Sequence, residues 1–409
     1  MSTEHCVIVG GSHAAASIAA ALRQEGWEGK ISIVGEEPHM PYHRPPLSKA
    51  YFCGEKNEHE LLIRPESFYE KNDIDLVLGS RVVGIDREAK KLTLHDGGEI
   101  PYTKLALTTG AKVRKIPFTG HELPGVHYLR DLGDVDEIKK YVTEGASAVI
   151  VGGGYIGLET AASLRKLGMK VTVLEAMSRV LQRVTAPELS AFYTRIHTEE
   201  GVDIRTDVTL EEITGDGKVN GVRLADGTVI DCKLVVIGVG VIPETELAEQ
   251  AGLVVNNGIV VNEFAQTNDP DIVAAGDCTF HHNPIYNMDI RLESVQNATD
   301  QGRIAAKTLC GNPTAYSALP WFWSDQYDLK LQIAGLSQGY DQVVVRGDTT
   351  SGRSFAAFYF KEGRLLAVDA VNSPKEFMMC KKALAAGQTA DPNKVADLSI
   401  ELKDLFTAP

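Results

Sequence analysis

The chain has 409 residues, with 41 Lys plus Arg against 55 Asp plus Glu, for a formal charge of −14. Its 44% hydrophobic and 23% charged residues suit two or three folded domains and exclude global disorder. The acidic balance argues against a nucleic-acid binder, and no run approaches the ~20 apolar residues of a membrane span.

The first residues, Met1-Ser2-Thr3-Glu4-His5, lack the basic and apolar regions of a signal peptide, so a cytoplasmic protein is expected. Residues 6–10 read as a short buried strand ending in Gly10. A small-residue helix over 14–22 and a second strand over 31–36 complete a βαβ unit. Residues 105–108 read as a further buried strand, followed by Thr109 and Gly110. The βαβ pattern then recurs, with a strand over 148–151, a glycine turn over 152–157, a helix over 158–167 stopped by Gly168, and a strand over 170–175. This is an architectural duplication at a spacing too long for a solenoid. Another strand, 235–237, runs out through Gly238 and Gly240, and 267–277 is extended and ends in Gly276-Asp277. From about Leu319 the chain becomes aromatic and strand-like, with strands expected around 321–323, 331–336, 343–346, 355–360 and 365–370. A helix over 376–386 and a polar tail follow. The fold class is therefore α/β: two Rossmann-like units plus a smaller antiparallel C-terminal α+β domain.

The central turn, Gly152-x-Gly154-x-x-Gly157, has the context that dinucleotide binding needs: a strand before it and a helix after it. The first glycine allows the tight turn, the second lets backbone approach a pyrophosphate, and the third lets helix and strand pack closely. Glu175 ends the next strand, about 20 residues on, where a carboxylate accepts bonds from ribose hydroxyls and repels a 2′-phosphate. That favours NADH, while Arg179 and Arg183 leave phosphate binding open. The N-terminal turn keeps Gly10, has Ser12 and Ala15 at the other two glycine positions, and is followed by Glu36 as its acid. His13 reads as a variable position in this turn, with proton chemistry as the other option.

Several segments carry a more specific signal: Tyr42-His43-Arg44-Pro45-Pro46-Leu47-Ser48-Lys49, Gly157-Leu158-Glu159, Asp277 after its glycine, Arg291-Leu292-Glu293-Ser294-Val295, and Pro320-Trp321-Phe322-Trp323-Ser324-Asp325-Gln326. On these the chain resembles the pyridine nucleotide–disulfide oxidoreductases, and among them the FAD-dependent, NADH-linked ferredoxin reductases of oxygenase systems. The resemblance spans essentially the whole chain and departs mainly at Gly10-Gly11-Ser12-His13. It implies FAD contacts at Gly10, Ala14, Glu36, Arg44, Lys49, Val82, Thr109, Gly110, Arg130, Asp277 and Val295. For NADH it implies Gly152, Gly154, Ile156, Gly157, Glu159, Glu175, Arg183, Gly238 and Gly240. It also implies an FAD-binding domain over 1–112 and 244–318, an NADH-binding domain over 113–243, and a C-terminal interface domain over 319–409. Lys49 and Glu159 are expected to pair beside the flavin, and Trp323 to lie near it unless its ring is core packing.

The six cysteines, Cys6, Cys53, Cys232, Cys278, Cys310 and Cys380, form no CxxC pair and no zinc-type cluster, so no metal site is expected. Thiol-using relatives carry a redox cysteine beside the flavin, whereas the corresponding stretch here offers Lys49. Without a thiol relay, electrons must pass directly to an acceptor such as a [2Fe–2S] ferredoxin, a one-electron protein that would in turn supply a mono- or dioxygenase. Two alternatives remain: an NADH-dependent peroxide or disulfide reductase using Cys53, and a redox flavoprotein like the apoptosis-inducing factors.

Overall fold

Apolar runs buried on both faces build two parallel sheets in this computed structural model, which describes residues 4–407. Met1–Thr3, part of the segment read above as lacking a signal peptide, lie outside the described residues. The backbone falls into two units. One is Met1–His43, Glu58–Lys112 and Ile242–Pro320; the other is Arg44–Asn57, Val113–Val241 and Trp321–Pro409. Six helices of eight or more residues are described: α1 (His13–Gln24), α2 (Leu132–Lys139), α3 (Tyr155–Lys166), α4 (Pro187–Glu199), α5 (Val295–Leu309) and α6 (Pro374–Ala385).

The sheet of the first unit runs Ile272–Ala274, Lys104–Leu107, His5–Val9, Lys30–Val34, Ile74–Val77, with every pairing parallel. Cys6, Val7 and Ile8 are wholly buried, as expected of a central strand covered on both sides. One face packs on α1 and α5. Their axes come close because the contact is made of small residues: a Cβ added to Gly302 would lie 3.1 Å from Ala14 O. The other face packs on an antiparallel meander of Val82–Asp86, Lys91–Leu94 and Glu99–Pro101.

The second unit repeats this plan. Its parallel sheet runs Val202–Arg205, Lys170–Leu174, Ser147–Val151, Leu234–Ile237, Val126–Tyr128, with a meander of Leu210–Gly215, Val219–Leu224 and Val229–Asp231. The duplication is thus deeper than the βαβ signature: it includes a third strand, a meander and the strand that returns to the centre. The outer strand differs in origin. In the first sheet it comes from late in the chain, Ile272–Ala274, and in the second from ahead of the repeat, Val126–Tyr128.

The C-terminal part of the second unit is an antiparallel sheet ordered Trp321–Gln326, Leu329–Gly335, Arg364–Val371, Phe355–Lys361, Gln342–Gly347. Phe377, Cys380, Ala383 and Leu384 of α6 are buried. The polar tail expected after 386 is instead ordered: Thr389–Ala390 pairs with Phe406–Thr407, and Val395, Leu402 and Leu405 are buried. Arg346 explains why. Its guanidinium donates to Val395 O (3.0 Å), Asp397 O (2.6 Å) and Ile400 O (3.0 Å), satisfying three carbonyls of a segment with little regular structure.

Candidate active site

Both glycine turns lie at the C-terminal ends of parallel strands, where ligands collect in open α/β sheets. Gly10 (φ +113°) and Gly152 (φ +112°) occupy a region L side chains avoid. A Cβ at Gly10 would lie 2.2 Å from Thr108 O, and one at Gly152 would lie 2.4 Å from Gly238 O. Gly157 is kept small by the fold as well, since a Cβ there would be 2.0 Å from Gly152 O. Gly154 differs: a Cβ there would meet nothing within 4 Å. The fold does not need that glycine, so the open space beside it is where a pyrophosphate fits.

The helix termini show the same design. α2 opens with an Asp131–Asp134 capping box and α5 with a Ser294 cap, while α4 and α6 carry Glu188 and Glu376 in their first turns. Only α1 and α3, the two that follow glycine turns, have neither a side-chain cap nor a first-turn acid among the six. Their first N–H groups and dipoles point to an anion from outside the chain. Ile156, in the first turn of α3, leaves a large apolar side chain 46% exposed.

Glu175 is held against the second turn, accepting from Gly153 N (2.7 Å) and Met177 N (2.8 Å). The Arg179 guanidinium donates to Thr185 O, Gln182 O and Ser190 Oγ, so it is committed to the fold rather than to a 2′-phosphate. Arg183 is exposed and makes no hydrogen bond or ion pair among the described residues. Gly238 and Gly240 follow the strand Leu234–Ile237, which lies beside the central strand, and Gly240 O accepts from Arg114 N at 2.9 Å.

In the first unit, Gly10, Glu36, Thr109, Gly110 and Asp277 all lie just past the C-terminal ends of parallel strands. Glu36 is one residue beyond the place Glu175 takes. It is Gly35 N that bonds Val77 O, as Glu175 N bonds Arg205 O. Glu36 instead pairs with Arg81 at 3.4 Å on the surface. Ala14 meets the Gly276 corner: a Cβ at Gly276 would be 3.4 Å from Ala14 Cβ. Gln301 of α5, which sequence reasoning missed, fixes that corner by accepting from Gly276 N and Thr279 Oγ1, both at 2.9 Å. Thr109 Oγ1 donates to Glu244 O (2.6 Å), Val295 is the first residue of α5, and Val82 is a buried residue of the meander. His13, the first residue of α1, is buried, and its Nε2 lies 3.1 Å from His43 Nδ1.

In the second unit, Arg44 Nη1 donates to Arg130 O at 2.9 Å. Lys49 Nζ lies 2.6 Å from Glu159 Oε2, with the lysine side chain 20% and the glutamate 2% exposed. Ser48 Oγ donates to the same oxygen and Ser324 Oγ to Oε1, each at 2.6 Å. These two serines were not singled out as site residues, although both lie in the segments that carried the resemblance. Strand alternation turns Ser324 and Gln326 to the buried face. Trp323 points the other way, stacked on Trp321 with ring centroids 5.5 Å apart, so the structure does not bring it to the Lys49–Glu159 pair.

Comparison with known proteins accords with this arrangement. The pyridine nucleotide-disulphide oxidoreductase profile matches residues 4–302, and the reductase C-terminal profile matches 321–406. The chain belongs to the pyridine nucleotide-disulphide oxidoreductase family. It is 43% identical to putidaredoxin reductase CamA of Pseudomonas putida, over 100% of this chain and 98% of that protein. It is likewise 43% identical to the 5,5′-dehydrodivanillate O-demethylase ferredoxin reductase subunit of Sphingobium sp., over 98% of both chains. The crystal structure of the covalent putidaredoxin reductase–putidaredoxin complex superposes with a TM-score of 0.96 at 42% identity, covering 99% of this chain and 98% of that one. Membership makes the chain an oxidoreductase and implies FAD and NAD(P)H, which the two uncapped helices and the open face of Gly154 fit.

The disulphide that names the family has no counterpart, as all six cysteines are free. Cys53 is half-buried and Cys278 fully buried, and burial pushes both thiols up, away from the thiolate a redox relay needs.

Proposed function

We propose that this chain is a cytoplasmic, NADH-dependent ferredoxin reductase that supplies a mono- or dioxygenase. The observation that carries the reading is the Lys49–Glu159 pair, which joins a half-buried lysine, in the stretch where thiol-using relatives carry their cysteine, to a buried glutamate, in a chain whose Cys53 is held as a thiol. The ferredoxin reductases among its relatives, and the partner seen in the putidaredoxin reductase complex, support a [2Fe–2S] ferredoxin as acceptor. No helix among the described residues is long and apolar enough to cross a membrane.

Residues 1–112 and 244–318 form the FAD-binding domain in this reading, 113–243 the NADH-binding domain and 319–409 the interface domain. The first-unit turn at Gly10, with Ala14, Glu36, Val82, Thr109, Gly110, Asp277 and Val295, holds FAD, aided by Arg44, Lys49 and Arg130. The turn from Gly152 to Gly157, with Ile156, Glu159, Glu175, Arg183, Gly238 and Gly240, holds NADH. The Glu175 carboxylate against the turn and the commitment of Arg179 elsewhere favour NADH over NADPH. When bound, FAD would supply the two-electron to one-electron chemistry that lets NADH and two oxidised ferredoxins give NAD⁺, two reduced ferredoxins and one proton. The Lys49 ammonium would supply positive charge where negative charge develops. Trp323 contributes to the ferredoxin-facing side.

Anaerobic stopped-flow tests the reading. NADH should bleach the flavin at least tenfold faster than NADPH, and the reduced protein should pass electrons to [2Fe–2S] ferredoxins and not to disulfides or hydrogen peroxide. Reduction of a disulfide, abolished by Cys53→Ser, with no ferredoxin reduced, would replace it with the thiol mechanism.

A further inference from the structure

Glu159 ends a largely buried chain of polar side chains whose other members take no part in the proposed reaction. Ser324 Oγ lies 2.6 Å from Glu159 Oε1, Gln326 Nε2 lies 3.3 Å from Ser324 Oγ, His197 Nε2 lies 2.8 Å from Gln326 Oε1, and Tyr327 OH lies 3.1 Å from His197 Nδ1. Ser324, Gln326 and His197 are all at most 1% exposed. The string joins α3, the strand Trp321–Gln326 and α4, all in the second unit.

The direction of every bond follows from the carboxylate. A carboxylate only accepts, so Ser324 donates to it. The serine oxygen then receives the Gln326 amide N–H, and Gln326 turns its carbonyl oxygen to His197. His197 must carry its proton on Nε2, leaving Nδ1 bare for the Tyr327 hydroxyl. Burial pushes His197 down to about 4, which keeps the ring neutral as this pattern requires. Tyr327 adopts φ +55° in the two-residue connection to the strand Leu329–Gly335. A bulky residue there is strained, and the strain is retained where the hydroxyl meets His197.

We propose that His197 is a positioning residue for Glu159, acting through Gln326 and Ser324 to hold Oε1 so that Oε2 stays on Lys49. This rests on the reading that places the Lys49–Glu159 pair at the flavin. The string sets how the carboxylate divides its charge between Ser324 and Lys49, and therefore how much positive charge Lys49 offers to its cofactor.

A double-mutant cycle on the FAD-loaded protein tests this, read as the flavin midpoint potential without any acceptor. His197→Phe keeps the ring and deletes the donor. It should shift the potential and slow flavin reduction by NADH by up to about an order of magnitude, what a hydrogen bond between neutral groups is worth. Both effects should vanish in a Glu159→Gln background, and His197→Gln, which keeps an N–H near the Nε2 position, should recover most of the wild-type potential. Equal shifts in both backgrounds, or no shift at all, would overturn the proposal. If His197→Phe does not retain FAD, Tyr327→Phe takes its place in the cycle with the same two outcomes. Nitrogen-15 spectra of the histidines give an independent reading: His197 should be the neutral Nε2–H form, and an Nδ1–H form refutes the string. Failure to reduce any ferredoxin would sink the functional reading and leave these measurements unaffected.

Discussion

Gly154 and Gly157 stand three positions apart in one motif and are glycine for opposite reasons. A Cβ at Gly157 would sit 2.0 Å from the Gly152 carbonyl, so Gly157→Ala should cost about 2 kcal/mol or more through backbone displacement. At Gly154 the backbone has an ordinary φ of −81° and an added Cβ meets nothing within 4 Å. Gly154→Ala should therefore leave the thermal midpoint almost unchanged while weakening NADH binding about tenfold, through closer contact with the diphosphate. Thermal unfolding and an NADH titration of the FAD-loaded protein separate the two. Equal stability losses would mean that both glycines serve packing alone.

The helix N-termini divide into those finished by the chain and those left for a ligand. Gly154→Asp would finish α3 as Asp131 finishes α2. It should gain a few tenths of a kcal/mol in fold stability and lose NADH binding almost entirely, because a carboxylate then takes the place of the diphosphate. Retained NADH affinity would show that the diphosphate does not sit at this helix. This design was legible in the amino-acid order because it is local: strand, glycine turn, small-residue helix and acid all fall within one βαβ unit. The two parallel sheets were legible for the same reason, as apolar runs bounded by glycine. What could not be read was non-local. Ser48 and Ser324 reach Glu159 from 111 and 165 positions away, and nothing in their immediate neighbours marks them as carboxylate donors. The ordered C-terminal tail depends on Arg346, about 50 positions upstream, and so looked like a solvated end. The one-residue offset between Glu36 and Glu175 became visible only through the backbone register.

Among the molecule's 55 acidic side chains, Asp369 sets a pH limit on the stability of the whole chain. It lies 1% exposed in the C-terminal sheet, with the Tyr359 hydroxyl donating to it at 2.6 Å. Burial pushes its carboxyl up to about 7, against a smaller opposing effect of the tyrosine bond. An acid that holds its proton more tightly folded than unfolded stabilises the fold fully below its unfolded pKa of about 4. That contribution is lost as pH rises towards 7, above which the folded state holds a buried carboxylate. A shift of this size is worth at most about 4 kcal/mol. Asp369→Asn keeps an acceptor for Tyr359 and removes the charge, so it should match the wild type near pH 4 and exceed it in stability above pH 7. Thermal unfolding midpoints of the two FAD-loaded proteins across that range would show the curves parting between about pH 4 and pH 7. Curves that stay parallel would mean that Asp369 is ionised in the folded protein throughout, stabilised by donors other than Tyr359.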